Sequence, residues 1–345
     1  YGLLNGGGDN GLTVDAREKQ WGPNYTRCGL SLAADTVGEG RFNLLMRVLQ
    51  TQFNSAGAEW RTDFQLGRDR RFASQFFQPF AAFGFFNVFN VTPGIEVVQR
   101  PVDFIISGRR QSQYQLSSNI SSLDLGYDIN RNAILRLGLM QSKNNARITV
   151  GSSVFADPEF REGGARAKFL FDSIDDPNFP REGRIFQLDY FASLKSQKAT
   201  ADYRKAEVNY QEHLTYGANT LSLGARYGRT FQGNLTFFNQ FSLGGFQQLS
   251  GYRPGELGGG AVEFARAAYL RRLVQFQNPF GKSVYAGLSL EFARVAPTAQ
   301  LLSSSPTRSS IGIFTGFDTL FGPLYLGYGR SREKNSIFYL FLGQP

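Results

Sequence analysis

The sequence predicts an all-β protein, a sixteen-stranded antiparallel transmembrane β-barrel with a long loop folded inward between the eleventh and twelfth strands. Three observations lead there. Apolar and polar residues alternate in segments of about ten residues along the whole chain, the weak per-segment signature of a barrel strand. Turn residues separate these segments, and no helical stretch intervenes. The segments number sixteen, and an even count returns both chain ends to the same side of a bacterial barrel.

The alternation is legible strand by strand. Trp60, Thr62, Phe64 and Leu66 share one face, opposed by Glu59, Arg61, Asp63 and Gln65. Ala133, Leu135, Leu137 and Leu139 alternate with Arg136 and Gly138, and Ala165, Ala167, Phe169 and Phe171 with Arg166, Lys168 and Asp172. The same pattern pairs Phe186, Leu188, Tyr190 and Ala192 against Gln187 and Asp189, and Leu221, Leu223, Ala225 and Tyr227 against Ser222 and Arg226. Near the end, Val284, Ala286, Leu288, Leu290 and Phe292 oppose Ser283, Ser289 and Glu291. Successive side chains on a strand point to opposite faces, so one face of this sheet is apolar and the other charged. Charges on one continuous face suit a water-filled lumen.

The expected strands run over residues 25–35, 41–53, 58–68, 71–80, 86–106, 110–129, 132–149, 163–173, 184–197, 202–213, 219–231, 262–273, 283–294, 308–319, 323–331 and 336–345. Short turns at Asn54–Gly57, Asn130–Asn132 and Leu320–Pro323 alternate with long loops at 151–163, 232–260 and 294–307. Ahead of them, Tyr1–Leu4 and Leu12–Ala16 flank a Gly-rich turn and read as a hairpin too short to fold alone. Residues 1–22 are therefore expected to end a small periplasmic domain and its linker, and 23–345 to form the barrel.

Composition allows this without requiring it. The chain has 345 residues, 41% hydrophobic, with 33 Phe, 15 Tyr and 39 Gly against two Trp. Its mean hydropathy of -0.28 would suit a soluble sandwich or propeller equally well. No apolar run is long enough for a transmembrane helix, and no repeat of about forty residues marks a propeller. The net charge of +9 is spread along the strands. Anionic headgroups or a charged lumen account for it as well as nucleic acid does, and no nucleic-acid partner is expected. Cys28 is alone and cannot form an intrachain disulfide. The chain opens without a signal peptide, which an outer-membrane protein needs, so it reads as a fragment or a mature form.

Two segments go beyond generic pattern, and a third does so more weakly. They are Leu243-Gly-Gly-Phe-Gln-Gln-Leu-Ser-Gly-Tyr-Arg-Pro-Gly-Glu-Leu257, Gly316-Phe-Asp-Thr-Leu-Phe-Gly-Pro-Leu-Tyr-Leu-Gly-Tyr-Gly329 and Asp172-Ser-Ile-Asp-Asp-Pro-Asn-Phe-Pro-Arg-Glu-Gly183. They resemble signature segments of the outer membrane protein 85 (bacterial surface antigen) superfamily. Val14-Asp-Ala-Arg-Glu-Lys-Gln-Trp-Gly-Pro-Asn-Tyr25 and the Leu-Ser-Gly-Tyr-Arg-Pro-Gly-Glu-Leu form of the loop further resemble the patatin-like (type Vd) autotransporters.

The resemblance implies a location in the outer membrane of a Gram-negative bacterium, among lipids and lipopolysaccharide, and insertion by the barrel assembly machinery. It implies a fused N-terminal patatin-like phospholipase passenger, one periplasmic polypeptide-transport-associated domain, and a barrel that delivers the passenger to the cell surface. A related exporter or insertase of separate clients and a diffusion porin are the alternatives. Lateral pairing of two barrels is left open. The resemblance also implies that the loop folds into the lumen, where an Arg at its tip pairs with an acid on the inner wall. Here Ser250-Gly251-Tyr252 stands where Arg-Gly-Tyr is expected, so Arg253, within the motif Ser250–Glu256 that also includes Pro254 and Gly255, is the candidate substitute. Glu291 and Asp318 are the candidate wall partners. The final strand is expected to end in an aromatic residue, and here it stops at Pro345.

No catalytic or cofactor chemistry is expected of this chain. Gly-x-Ser-x-Gly, the patatin nucleophile frame, does not occur, and a His-based triad or zinc site is hard to build with one His (His213), which reads as structural, and one Cys. Gly6-Gly-Gly-Asp and Gly258-Gly-Gly lack the Lys-Ser/Thr of a phosphate loop and read as turns.

Overall fold

A computed structural model describes residues 2–4, 11–13, 24–38, 40–83, 87–106, 109–152, 158–278, 281–333 and 335–343. The first eight barrel strands are β1 (Asn24–Asp35), β2 (Gly40–Gln50), β3 (Glu59–Gly67), β4 (Arg70–Phe83), β5 (Asn87–Ile106), β6 (Arg109–Asn130), β7 (Ala133–Gly151) and β8 (Glu159–Asp172). The second eight are β9 (Gly183–Ser193), β10 (Tyr203–Tyr216), β11 (Asn219–Gln232), β12 (Ala261–Asn278), β13 (Gly281–Ala296), β14 (Arg308–Thr319), β15 (Gly322–Ser331) and β16 (Ser336–Leu342). Each pairs antiparallel with its neighbour in sequence, and β16 pairs with β1 to close the barrel. Closure gives every strand a neighbour on both sides, as the hydrocarbon demands, although β1 and β16 meet along only part of their length. No helix among the described residues is long and apolar enough to cross a membrane.

All sixteen expected strands are present. Several boundaries differ, some of them for a visible local reason. The expected second strand stops at Gln50 because Gln52 turns to φ 53°. The ninth stops at Ser193, since Lys195–Gln197 winds into a 3-10 turn ended by Lys198 in the left-handed region. The twelfth and thirteenth run on to Asn278 and from Gly281, across ladder irregularities that their alternation does not announce. The expected long loop after the seventh strand shrinks to 152–158, because β8 begins at Glu159. At the N-terminus, Gly2–Leu4 pairs with Gly11–Thr13 as a hairpin. Its turn, the linker 14–23 and the segment opening at Val14 lie outside the described residues up to Asn24.

The ends of β1 and β16 nearest the chain termini mark one side of the membrane, the short-turn side and hence the periplasmic one. The longest connection, 233–260, leaves from the other side. Around the lower barrel, Leu123 and Leu125 on β6, Leu137 and Leu139 on β7 and Ile311 and Ile313 on β14 are exposed on the outer face. A contiguous apolar belt of this kind marks a lipid-facing surface. The inner face there is ionic. Arg166 binds Asp124 through two bonds of 2.8 and 2.5 Å, Arg47 Nε donates to Asp63 at 2.6 Å, Arg71 Nε to Glu96 at 2.6 Å, and Arg226 to Glu207.

Above that belt β5, β6 and β7 continue, and their faces exchange character. On β6 the outer residues become Gln111, Gln113, Gln115, Ser117 and Asn119, while Tyr114 and Leu116 turn inward and are buried. Together with Ala146 and Phe160 they pack on Phe238 of the long loop. The upper wall is thus a water-facing sheet with its own small core, standing on a membrane barrel.

The loop locked in the lumen as candidate functional site

Residues 233–260 enter the barrel as a two-stranded ribbon, Phe241–Leu243 paired with Leu257–Gly259. Beyond it the chain must turn tightly, and the backbone at Gly244, Gly245, Gln247, Leu249 and Gly255 takes positive φ. Gly244 carries φ 122° and packs so closely that a Cβ would lie 2.0 Å from the Arg253 carbonyl oxygen. No other residue meets both demands without strain. The Gly244 and Gly245 amides donate to the Gln248 and Tyr252 carbonyls at 2.9 Å each, so the tip is a small fold of its own.

That tip is fastened to the wall. Glu291, on the inner face of β13 and fully buried, accepts the Ser250 amide at 2.5 Å and the Ser250 hydroxyl at 2.8 Å, with the Ser289 hydroxyl at 2.7 Å. The Gly251 amide donates to Ser310 Oγ on β14 at 3.1 Å. Tyr339 of β16 donates its hydroxyl to the Ser250 carbonyl at 2.8 Å and lies 3.2 Å from that of Tyr252. The loop lies flush against the wall where glycines on the two sides meet. A Cβ at Gly329 would sit 2.1 Å from the Ser250 carbonyl oxygen, and one at Gly251 would sit 2.1 Å from the Ser331 amide.

A buried carboxylate with no positive charge nearby is costly. The compensating charge comes from Arg266, directly opposite Glu291 in the β12–β13 ladder. Its Nη1 donates to Gln247 Oε1 of the loop at 2.7 Å. The structure therefore brings Ser250 and Glu291 together and places the guanidinium on the wall. Arg253 lies outside this lock. Its amide donates to Glu256 Oε2 at 2.8 Å, and it lines an outer cavity of about 700 Å³ with Glu256, Arg109, Arg308 and Glu333. Asp318 is buried near the periplasmic end of β14. It lies eight positions from Ser310, about 27 Å along an extended strand. Tyr252 is buried in the apolar cluster of Leu243, Leu249 and Val262.

Aromatic packing completes the fastening. Phe246 of the loop contacts the rings of Phe314, Tyr325, Tyr339 and Phe341 at 5.4–5.8 Å. From the periplasmic side, the β8–β9 turn sends Phe179 into the same stack, 4.5 Å from Tyr285 and 5.2 Å from Tyr325. That turn is the Asp172–Gly183 segment, folded by its own carboxylates: Asp175 accepts the amides of Arg181 and Glu182 at 2.8 and 3.1 Å. Burial would push the Asp175 carboxyl up, but these donors outweigh it and hold it below the usual value. His213 is buried in β10, and neither ring nitrogen has a hydrogen-bond partner among the described residues.

The barrel closes along a short ladder beside this lock. Among the described residues β16 and β1 pair from Tyr339↔Asp35 to Leu342↔Leu32, four positions, with one further bond from the Thr36 amide to the Phe338 carbonyl at 3.2 Å, against seven positions between β15 and β16. Sequence reasoning named Glu291 as a wall partner for Arg253 rather than for Ser250, and missed Arg266, Tyr339 and the ring stack. Register decides the first, and contacts far apart in sequence decide the others.

A closed membrane barrel with a long loop bound inside its lumen, beside a short closing seam, defines a class of outer-membrane translocator and insertase barrels. The chain belongs to the OMP85 superfamily, whose family model matches residues 121–344. Its fold is similar to that of BamA from Haemophilus ducreyi lacking POTRA domains 1–3, with a TM-score of 0.72 at 14% identity over 92% of this chain and 70% of that one. CdiB from Escherichia coli is similar at a TM-score of 0.61 and 13% identity, over 94% of this chain. CdiB from Acinetobacter baumannii follows at 0.58 and 11%, over 92%. The chain spans 63% and 59% of those two proteins, less than two thirds of either. A comparison with curated proteins finds no match.

Proposed function

We propose that this chain is the translocator barrel of a patatin-like, type Vd autotransporter, which takes an N-terminal phospholipase of the same polypeptide to the cell surface. On this reading residues 1–22 end a periplasmic polypeptide-transport-associated domain and its linker, and 23–345 form the barrel. One observation carries the translocator part. The tip of the lumen loop is held by Tyr339, which stands on β16, the strand closed against β1 by four positions. Releasing the loop removes a support from the barrel joint with the shortest ladder among the described residues. The route follows from that coupling: the passenger passes with the β1–β16 joint opened and the loop withdrawn. The patatin part rests on the resemblance of the loop motif and of the segment from Val14.

Two experiments separate these parts. A disulfide between Ala34→Cys and Leu340→Cys, which face each other across the joint, is made in a Cys28→Ser background. It should reduce surface display of the full-length protein at least tenfold, with recovery on reduction. Undiminished display would sink the joint route. The N-terminal sequence and intact mass of the native protein test the passenger. A large upstream domain with Gly-x-Ser-x-Gly supports self-export. Periplasmic repeats alone would move the function to separate clients, the reading that the similarity in fold to BamA and CdiB favours.

A further inference from the structure

Outward side chains on β7 and β8 pair in a defined sequence up the wall. Leu135 faces Phe169, Leu137 faces Ala167 and Leu139 faces Ala165, all in the lipid belt. Gln141 then faces Gly163, and the next outward pair is Lys143 against Arg161. Two like charges directly opposite on one face of a sheet destabilise it. Both side chains are exposed, and among the described residues neither has an ion pair or hydrogen bond from its charged group.

The neighbouring chain adds charge of the same sign. The turn Lys195–Gln197 crosses the outer face at Gly163, where a Cβ would fall 2.0 Å from the Gln197 carbonyl oxygen. It is tied to β8 by Leu194 N–H to Gly163 O at 2.7 Å and Thr200 N–H to Arg161 O at 2.8 Å. Lys195 and Lys198 are exposed on it. Two acids share this face: Glu159 accepts from Asn145 at 3.0 Å and Asp202 from the Lys195 amide at 2.6 Å, which leaves the four basic groups in excess.

We infer that Lys143, Arg161, Lys195 and Lys198 form a ledge that holds the phosphate groups of an outer-leaflet glycolipid. Its height selects that occupant. The ledge lies two outward steps above Leu139, about 14 Å along a tilted strand. There Lys and Arg reach down to the headgroup layer with their stems on apolar surface. A phosphomonoester placed between Lys143 and Arg161 turns their repulsion into two charge-assisted bonds. The acyl chains of the same molecule then lie on Leu137, Leu139 and Ala165. This inference needs only an outer-membrane location and is independent of any passenger.

The test reconstitutes the chain in phosphatidylcholine nanodiscs containing a bis-phosphorylated lipid A or its dephosphorylated form, with bound lipid counted by native mass spectrometry. Wild type should retain the phosphorylated lipid at least tenfold better than the dephosphorylated one. The double variant Lys143→Gln/Arg161→Gln should lose that preference. Lys168→Gln, on the lumen side beside Asp189, should keep it. Heat-modifiable gel mobility reports the fold of each variant, and the charge-reversing Lys143→Glu alone serves if the double variant fails to fold. Equal retention by the double variant, equal retention of the two lipids, or displacement by millimolar inorganic phosphate would each overturn the assignment.

Discussion

The lower and upper halves of β6 belong to one strand and obey opposite rules. Below, Leu123 and Leu125 face out and Asp124 faces in; above, Gln113 and Gln115 face out and Tyr114 and Leu116 face in. The backbone and its pairing with β7 continue through both. What changes is the solvent on the outside and the filling on the inside. The outer surface meets lipid below and water above, while the interior is wet below and packed on Phe238 above. The difference teaches that strand polarity is set by what each face touches and not by a fixed inside-out rule for barrels.

Four substitutions break or sharpen that contrast. Tyr114→Ala empties the upper core and should cost about 3–5 kcal/mol, the range for buried aromatics, seen as lost protection of upper β6 amides. Leu125→Arg should destabilise the barrel by about 2–4 kcal/mol in urea titration from bilayers, since it puts a charge in hydrocarbon. Gln115→Arg, five outward positions away on the same strand, should stay within about 0.5 kcal/mol. Equal costs for those two would erase the boundary between the halves. Ser250→Ala removes the hydroxyl that serves both Glu291 and the Gln247 amide, and should loosen the loop by about 1–2 kcal/mol, read as more frequent conductance steps in planar bilayers.

The smallest effect concerns pH at the periplasmic turn. Asp175 has a lowered value when folded, so its contribution is complete above the free carboxyl value of about 3.9 and is lost as pH falls through the lower folded one. Amide exchange at Arg181 and Glu182 should rise only in that acid window. In Asp175→Asn, the rise should already be present at pH 7.

Much of this architecture was legible because period two survives any environment. The change of face in β6 is written as a slip of phase: apolar residues fall on even positions at 114 and 116 and on odd positions at 123 and 125, with Ser117–Ser122 between. The loop motif drew attention to Ser250–Glu256 and the alternation placed Glu291 inward, but with Arg253 as the expected partner. Arg266 was hidden because its charge matters only through the ladder register that sets it opposite Glu291. Phe179 and Tyr325 lie far apart in sequence, and no local pattern joins them.

Tyr325 has a consequence of its own. Its ring is held by Phe246, which arrives from the cell surface, and by Phe179, which arrives from the periplasm. Two ends of a membrane-spanning body therefore share one bearing. Were withdrawal of Phe179 to slacken the grip on Phe246, loop release would loosen the turn by the same free energy. One tyrosine of the wall thus joins a segment that enters from each side of the membrane.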